Sequence, residues 1–125
     1  MDKEICLDTD VCIEIVKETS LGRRILEDID EKQINIPVAV IFELYLRETH
    51  IDKVDFFLSK FNPLPFEEQT AKIASSIHKQ LKKQGNILDL RDLFIAATCI
   101  EHGYCLLTLN RKHFERVQGL ELMEI

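Results

Sequence analysis

Apolar residues in this chain fall into short dense runs separated by charged stretches, and the runs differ in length and period. Ile5-Cys6-Leu7 is apolar on both sides of the backbone and stops at Asp8-Thr9-Asp10, which predicts a short buried strand from Glu4 to Leu7. Val11 to Lys17 and Leu21 to Glu31 space their apolar residues at helical intervals. Ile34-Asn35-Ile36 predicts a second strand. Pro37 is expected at the first position of the helix that follows, where a missing N–H costs nothing, and that helix should run to about Glu48. A further helix is expected over Ile51 to Phe61, then an extended stretch Asn62-Pro63-Leu64-Pro65. From about Glu67 a long helix puts Ala74, Ile77 and Leu81 on one face, carries Lys79, Lys82 and Lys83 in its last turns, and stops at Gly85.

Leu88 to Leu93 reads as the start of another helix, and Leu93 to Ile100 is apolar all round, as expected of a helix buried on several sides. Gly103 ends it, Tyr104 to Leu109 is a strand-length apolar run, and Leu120 to Met123 could add a last edge strand. Apolar strands alternating with helices predict a three-layer α/β/α sandwich with a mostly parallel central sheet. In such sheets ligands gather outside the carboxyl ends of the strands.

At 125 residues the chain has the size of one domain, taken here as residues 1–125, and 46% apolar content is enough for one core. A net charge of −6 excludes a global positive field, so a phosphate-bearing ligand needs a local basic patch or a bound cation. Candidate patch residues are Arg23, Arg24, Lys79, Lys82, Lys83, Arg111, Lys112 and Arg116. The opening Met1-Asp2-Lys3-Glu4 lacks a basic head and a long apolar run, and no stretch is long enough to span a bilayer, so a cytoplasmic protein without membrane contact is expected. Cys6, Cys12, Cys99 and Cys105 form no C-x-x-C pair and are expected as buried free thiols; Cys99 with His102 supplies only two of the four ligands a structural zinc takes.

The acidic positions carry the chemistry. Asp8 and Asp10 stand at the carboxyl end of the first strand, where they can cap the next helix or line a site. Glu43 is the one charge between Lys32 and Arg47, inside a run so apolar that it needs a partner, either Arg47 at i+4 or a cation in a cleft. Asp89 as N-cap, Asp92 at N3 and the flanking Leu88 and Leu93 resemble a capping box with a hydrophobic staple, a role that can coexist with one in a site at the same sheet edge. Three carboxylates from separate segments, with Thr108 and Asn110 ending the other core strand, suit a hard cation such as Mg²⁺ or Mn²⁺. Such a cation can hold a phosphate and activate a water for hydrolysis.

Ile5-Cys6-Leu7-Asp8-Thr9-Asp10, Glu43, the stretch from Gly85 through Asp92-Leu93-Phe94-Ile95-Ala96-Ala97, and Leu107-Thr108-Leu109-Asn110-Arg111-Lys112-His113-Phe114 followed by Gly119-Leu120 together resemble a PIN domain. Within that family the chain resembles the compact VapC-like ribonuclease toxins of prokaryotic toxin–antitoxin pairs, and the matches span nearly its whole length. The resemblance implies metal-dependent endonucleolytic cleavage of RNA, with Asp8, Glu43 and Asp92 as catalytic carboxylates around Mg²⁺ or Mn²⁺. Thr9, Asp10, Asp89, Thr108, Asn110 and His113 are supporting positions, and Arg111 and Lys112 are candidates for substrate contact. The resemblance also implies a homodimer and a cognate antitoxin whose tail occupies the acidic cleft. One departure is His113, where family members often carry an aspartate; it leaves a second tightly held metal without its carboxylate.

Two rival readings differ in class. Asp8-Thr9-Asp10-Val11 also resembles the D-x-D-x-[TV] opening of haloacid-dehalogenase-like phosphatases, with Asp8 as nucleophile, but Thr108 then comes after Asp89 and Asp92, against that family's order. The other is a PIN-like binding module that kept the fold and lost the chemistry. The retained carboxylates in apolar settings argue against it.

Overall fold

A computed structural model describes residues 3–124. Its sheet is built from β1 (Ile5–Leu7), β2 (Ile34–Pro37), β3 (Asn62–Leu64) and β4 (Cys105–Leu107), in the order β3-β2-β1-β4 with every pairing parallel. The helices are α1 (Thr9–Val16), α2 (Ser20–Asp28), α3 (Val38–Tyr45), α4 (Ile51–Leu58), α5 (Glu68–Lys83), α6 (Leu90–His102) and α7 (Arg111–Phe114). Parallel strands require crossovers, and right-handed ones put α1 to α4 on one face and α5 and α6 on the other. The central strands are accordingly buried on both sides: every residue of β1, β2 and β4 is inaccessible or nearly so. The expected three-layer sandwich is the observed one.

The chain leaves β1 toward β2 on one side, while β4 lies on the other, so the strand order reverses between β1 and β4. Leu7 pairs with Leu107 there, which brings the next residues, Asp8 and Thr108, side by side at the carboxyl ends. This is the crevice where open α/β sheets bind ligands. Asp8 N–H donates to the Leu107 carbonyl at 2.9 Å, closing the register just below it.

Several boundaries depart from the sequence reading. Pro37 is not the first helical residue: it pairs with Leu64 as the last residue of β2 and serves as N-cap in an extended conformation (φ −60°, ψ 143°). The helix after it ends at Tyr45 rather than Glu48. The expected helix to Glu31 stops at Asp28, because Asp30 and Gln33 exchange side-chain and backbone hydrogen bonds that start a separate 3₁₀ turn, Glu31–Gln33. Residues 120–123 form no strand; one bridge joins Leu122 to Leu106, and the Met123 carbonyl is taken by the Arg111 guanidinium at 2.9 Å instead of continuing a ladder. α6 begins at Leu90, with Asp89 accepting from Arg91 N–H at 3.0 Å; the anticipated capping box with Asp92 does not form.

The four cysteines are buried free thiols. Gly103 closes α6 in the left-handed region (φ 71°). Gly22 matters through contact: a Cβ there would stand 2.3 Å from the Glu14 carbonyl oxygen, so α1 and α2 pack backbone to backbone. Among the described residues no helix is long and apolar enough to cross a membrane.

Candidate active site

Asp8 follows β1 in an extended conformation that lets it cap α1, so the capping role and a position in a site coincide in one residue. Its Oδ1 accepts from Thr9 N–H at 2.8 Å, and its Oδ2 accepts from Thr108 Oγ1 at 2.6 Å. Thr108 Oγ1 in turn accepts from Asn110 N–H at 3.0 Å, and Asn110 Nδ2 donates to Asp10 Oδ2 at 3.0 Å. Asp8 is 5% exposed and Thr108 2%, so this network holds a carboxylate at the bottom of the crevice in one orientation. Burial pushes the Asp8 carboxyl above its ordinary value, the bonds from Thr108 and Thr9 pull it back, and Asp10 adds repulsion.

Glu43 projects from α3 and is half-buried. Its partner is Arg91 of α6, at 3.8 Å, not Arg47, which lies beyond the helix end. Burial raises its carboxyl; Arg91 and the Thr9 hydroxyl, which is near but makes no hydrogen bond to it, favour the ionised form, while Asp8 and Asp92 repel it. Asp92, in the first turn of α6, is likewise raised by burial and by repulsion from Asp8 and Asp89, and His113 offsets part of this. His113 Nδ1 stands 3.5 Å from Asp92 Oδ2.

Carboxylates from the end of β1, from α3 and from α6 thus converge closely enough to disfavour one another's charge. Asp10, Asp89, Thr9, Thr108, Asn110 and His113 all border them. The bases divide. Lys112, His113 and Arg116 line, with Asp89 and Asp92, a cavity of about 190 Å³ beside the carboxylates, and Arg116 donates to Asn86 at its rim. Arg111 is turned to the Met123 carbonyl and Glu124, away from this cavity. Arg23 lines a different groove, and Arg24, Lys79, Lys82 and Lys83 are exposed on α2 and α5. Arg91 is the residue that sequence reasoning missed: its pairing depends on α3 approaching α6, which no local spacing encodes.

The donor set fits a hard divalent cation. Three oxygen-bearing groups repel one another in a partly desolvated crevice, and Thr9 Oγ1 is the one buried side-chain polar atom among the described residues without a hydrogen-bond partner. Among the described residues no three Asp, Glu, His or Cys side chains stand close enough to surround an ion directly. That spacing is compatible with a hydrated divalent ion, Mg²⁺ or Mn²⁺, that keeps several waters and takes only one or two protein ligands directly.

Comparison with known proteins agrees with this geometry. The PIN domain model matches residues 5–120. Ribonuclease VapC1 of Methanocaldococcus jannaschii is 35% identical over 126 aligned positions, covering 98% of this chain and 89% of that one. The tRNA(fMet)-specific endonuclease VapC of Shigella flexneri is 26% identical over 121 positions, covering 91% and 92%. Among solved structures, VapBC2 from Rickettsia felis bound to a DNA fragment from their promoter superposes with a TM-score of 0.83 at 26% identity, over 95% of this chain and 96% of that one. With the carboxylate crevice at the β1/β4 switch point and a match over nearly its full length, the chain belongs to the PIN domain family and, within it, to the VapC ribonucleases.

Proposed function

We propose that this chain is a divalent-cation-dependent endoribonuclease, the toxin of a toxin–antitoxin pair, with Asp8, Glu43 and Asp92 as its catalytic carboxylates. The observation that carries the reading is the convergence of those three carboxyl groups, from three segments, on one crevice at the carboxyl ends of β1 and β4. Bound Mg²⁺ or Mn²⁺ would supply Lewis-acid activation of water and neutralisation of phosphate charge. Asp8 and Asp92 would hold the ion, with Glu43 completing the set. The protein's own contribution is orientation: Thr108 and Thr9 fix Asp8, Arg91 tethers Glu43, and Lys112 and Arg116 offer charge to the phosphates flanking the cut. Arg111 lines a second cavity with Thr108 and is held by the Met123 carbonyl.

Two surfaces support the partners of such a toxin. A groove of about 450 Å³ between α1, α2 and α4, floored by Ile15, Val16, Leu26, Phe56 and Phe57, suits an apolar segment of an antitoxin. The exposed face of α3, with Val38, Phe42 and Tyr45 followed by Leu46, suits a second copy of the chain.

The test is cleavage of a panel of tRNAs, including initiator tRNA, rRNA fragments and single-stranded oligonucleotides, in Mg²⁺, Mn²⁺ or EDTA, with wild type beside Asp92→Asn. Discrete products that require the cation and vanish in the variant are expected. Cleavage that persists in EDTA, or in folded Asp92→Asn, overturns the assignment.

A further inference from the structure

Among the described residues, His113 is the imidazole that borders the carboxylate crevice, and its position relative to Asp92 is informative. A separation of 3.5 Å is at the outer limit for a hydrogen bond and not the 2.7–2.9 Å of a good charge-assisted one. It exceeds by about 0.5 Å the edge of roughly 3.0 Å between two ligand atoms each about 2.1 Å from one octahedral ion, a gap that turning the imidazole toward Asp92 closes. Asp92 is the less accessible partner, with a side chain 22% exposed, while the His113 side chain is 60% exposed on the short helix α7. The imidazole is therefore free to turn without disturbing the core. It lines one cavity with Asp89 and Asp92, so it faces the space beside the carboxylates.

We propose that His113 Nδ1 is a direct ligand of the cation shared with Asp92, giving a mixed nitrogen–oxygen site that selects Mn²⁺ over Mg²⁺. Carboxylate, hydroxyl and water oxygens bind both ions, whereas imidazole suits transition ions and adds little for the harder Mg²⁺. A carboxylate at this position would make the set uniformly hard and more negative, and would erase that preference. The inference rests on the metal-site reading above and refines it by assigning one ligand and the identity of the ion.

The experiment measures the bond to nitrogen and not turnover. Wild type, His113→Ala, His113→Asp and Asp92→Asn are titrated with Mn²⁺ and with Mg²⁺ by calorimetry, and the Mn²⁺ forms are examined by electron spin echo envelope modulation for coupling to nitrogen. Nitrogen coupling is expected in wild type and not in His113→Ala, with Mn²⁺ affinity falling about tenfold and Mg²⁺ affinity changing little. His113→Asp should narrow the Mn²⁺ to Mg²⁺ affinity ratio by a similar factor through tighter Mg²⁺. Absence of nitrogen coupling in wild type, or coupling and affinity unchanged in His113→Ala, overturns the proposal while leaving the carboxylate site intact. Mn²⁺ binding unchanged in Asp92→Asn overturns the site itself.

Discussion

Thr108 Oγ1 donates to Asp8 Oδ2 across 2.6 Å, joining residues 100 positions apart that follow neighbouring parallel strands. The bond fixes the rotamer of the innermost carboxylate and lowers its raised pKa. Thr108→Val keeps the shape but leaves Asp8 Oδ2 and Asn110 N–H without their partner. Stability should fall by about 1–2 kcal/mol and cleavage by about tenfold or more, whereas Thr108→Ser should retain both. Thermal melts and single-turnover cleavage of the three proteins check this.

Charge repulsion at the site has a signed consequence for stability. Burial and neighbouring carboxylates hold Asp8, Glu43 and Asp92 above their ordinary values, so the folded protein binds more protons than the unfolded chain in the interval between. Their contribution is complete below the unfolded values and is lost as pH rises through the folded ones. In EDTA, Asp92→Asn should therefore match wild type at low pH and exceed its Tm by about 1–2 °C near neutrality, with Asn still tolerated in the first turn of α6. Melts at a series of pH values check it; a deficit for the variant at neutral pH would refute the repulsion.

The partner of Glu43 predicts which arginine matters. Arg91→Ala removes the cation that favours ionised Glu43, so the acid limb of the rate profile should move to higher pH. Arg47→Ala should leave the profile within about twofold of wild type, as expected of a charge outside the site. Cleavage rates between about pH 5 and 8 distinguish the two.

The two apolar surfaces should separate by mutation. Phe56→Lys charges the floor of the α1–α2–α4 groove and should abolish co-purification with the cognate antitoxin while cleavage is retained. Phe42→Glu charges the exposed face of α3 and should shift the mass seen by light scattering from dimer to monomer. A variant that loses the other property instead reverses the assignment.

Gly22→Ala should cost about 2–3 kcal/mol, because the new methyl meets the backbone of Glu14 and Ile15 and no flexible side chain can yield. Chemical denaturation gives the value directly.

The sequence carried the parts of this molecule governed by local pattern. Strand runs with no polar interruption marked β1 and β4, helical spacing marked α5, and carboxylates in apolar settings marked Asp8, Glu43 and Asp92. It failed where two distant segments compete for one group. Arg47 had the favourable i+4 offset from Glu43, but α3 ends at Tyr45 and α6 delivers Arg91 instead. Asp89 and Asp92 had capping-box spacing, yet Asp92 is drawn toward His113, and Asp89 caps through Arg91. Pro37 suited a helix start until Leu64 claimed it for the sheet. The four residues 120–123 looked like an edge strand because their apolar residues cannot reveal that Arg111 occupies the carbonyl the ladder needs.

The small sheet is also protected against growth. On one side it ends in β3, three residues long with Pro63 at its centre, which has no N–H to offer an incoming strand. On the other, the segment at Leu122 lies across β4 and uses the Leu106 N–H and carbonyl. A protein whose inner strands are nearly pure Ile, Leu and Cys is thus denied the edge-to-edge stacking that would turn it into fibrils. Its association is left to side-chain surfaces, where a regulator can attach and be removed without unzipping the fold.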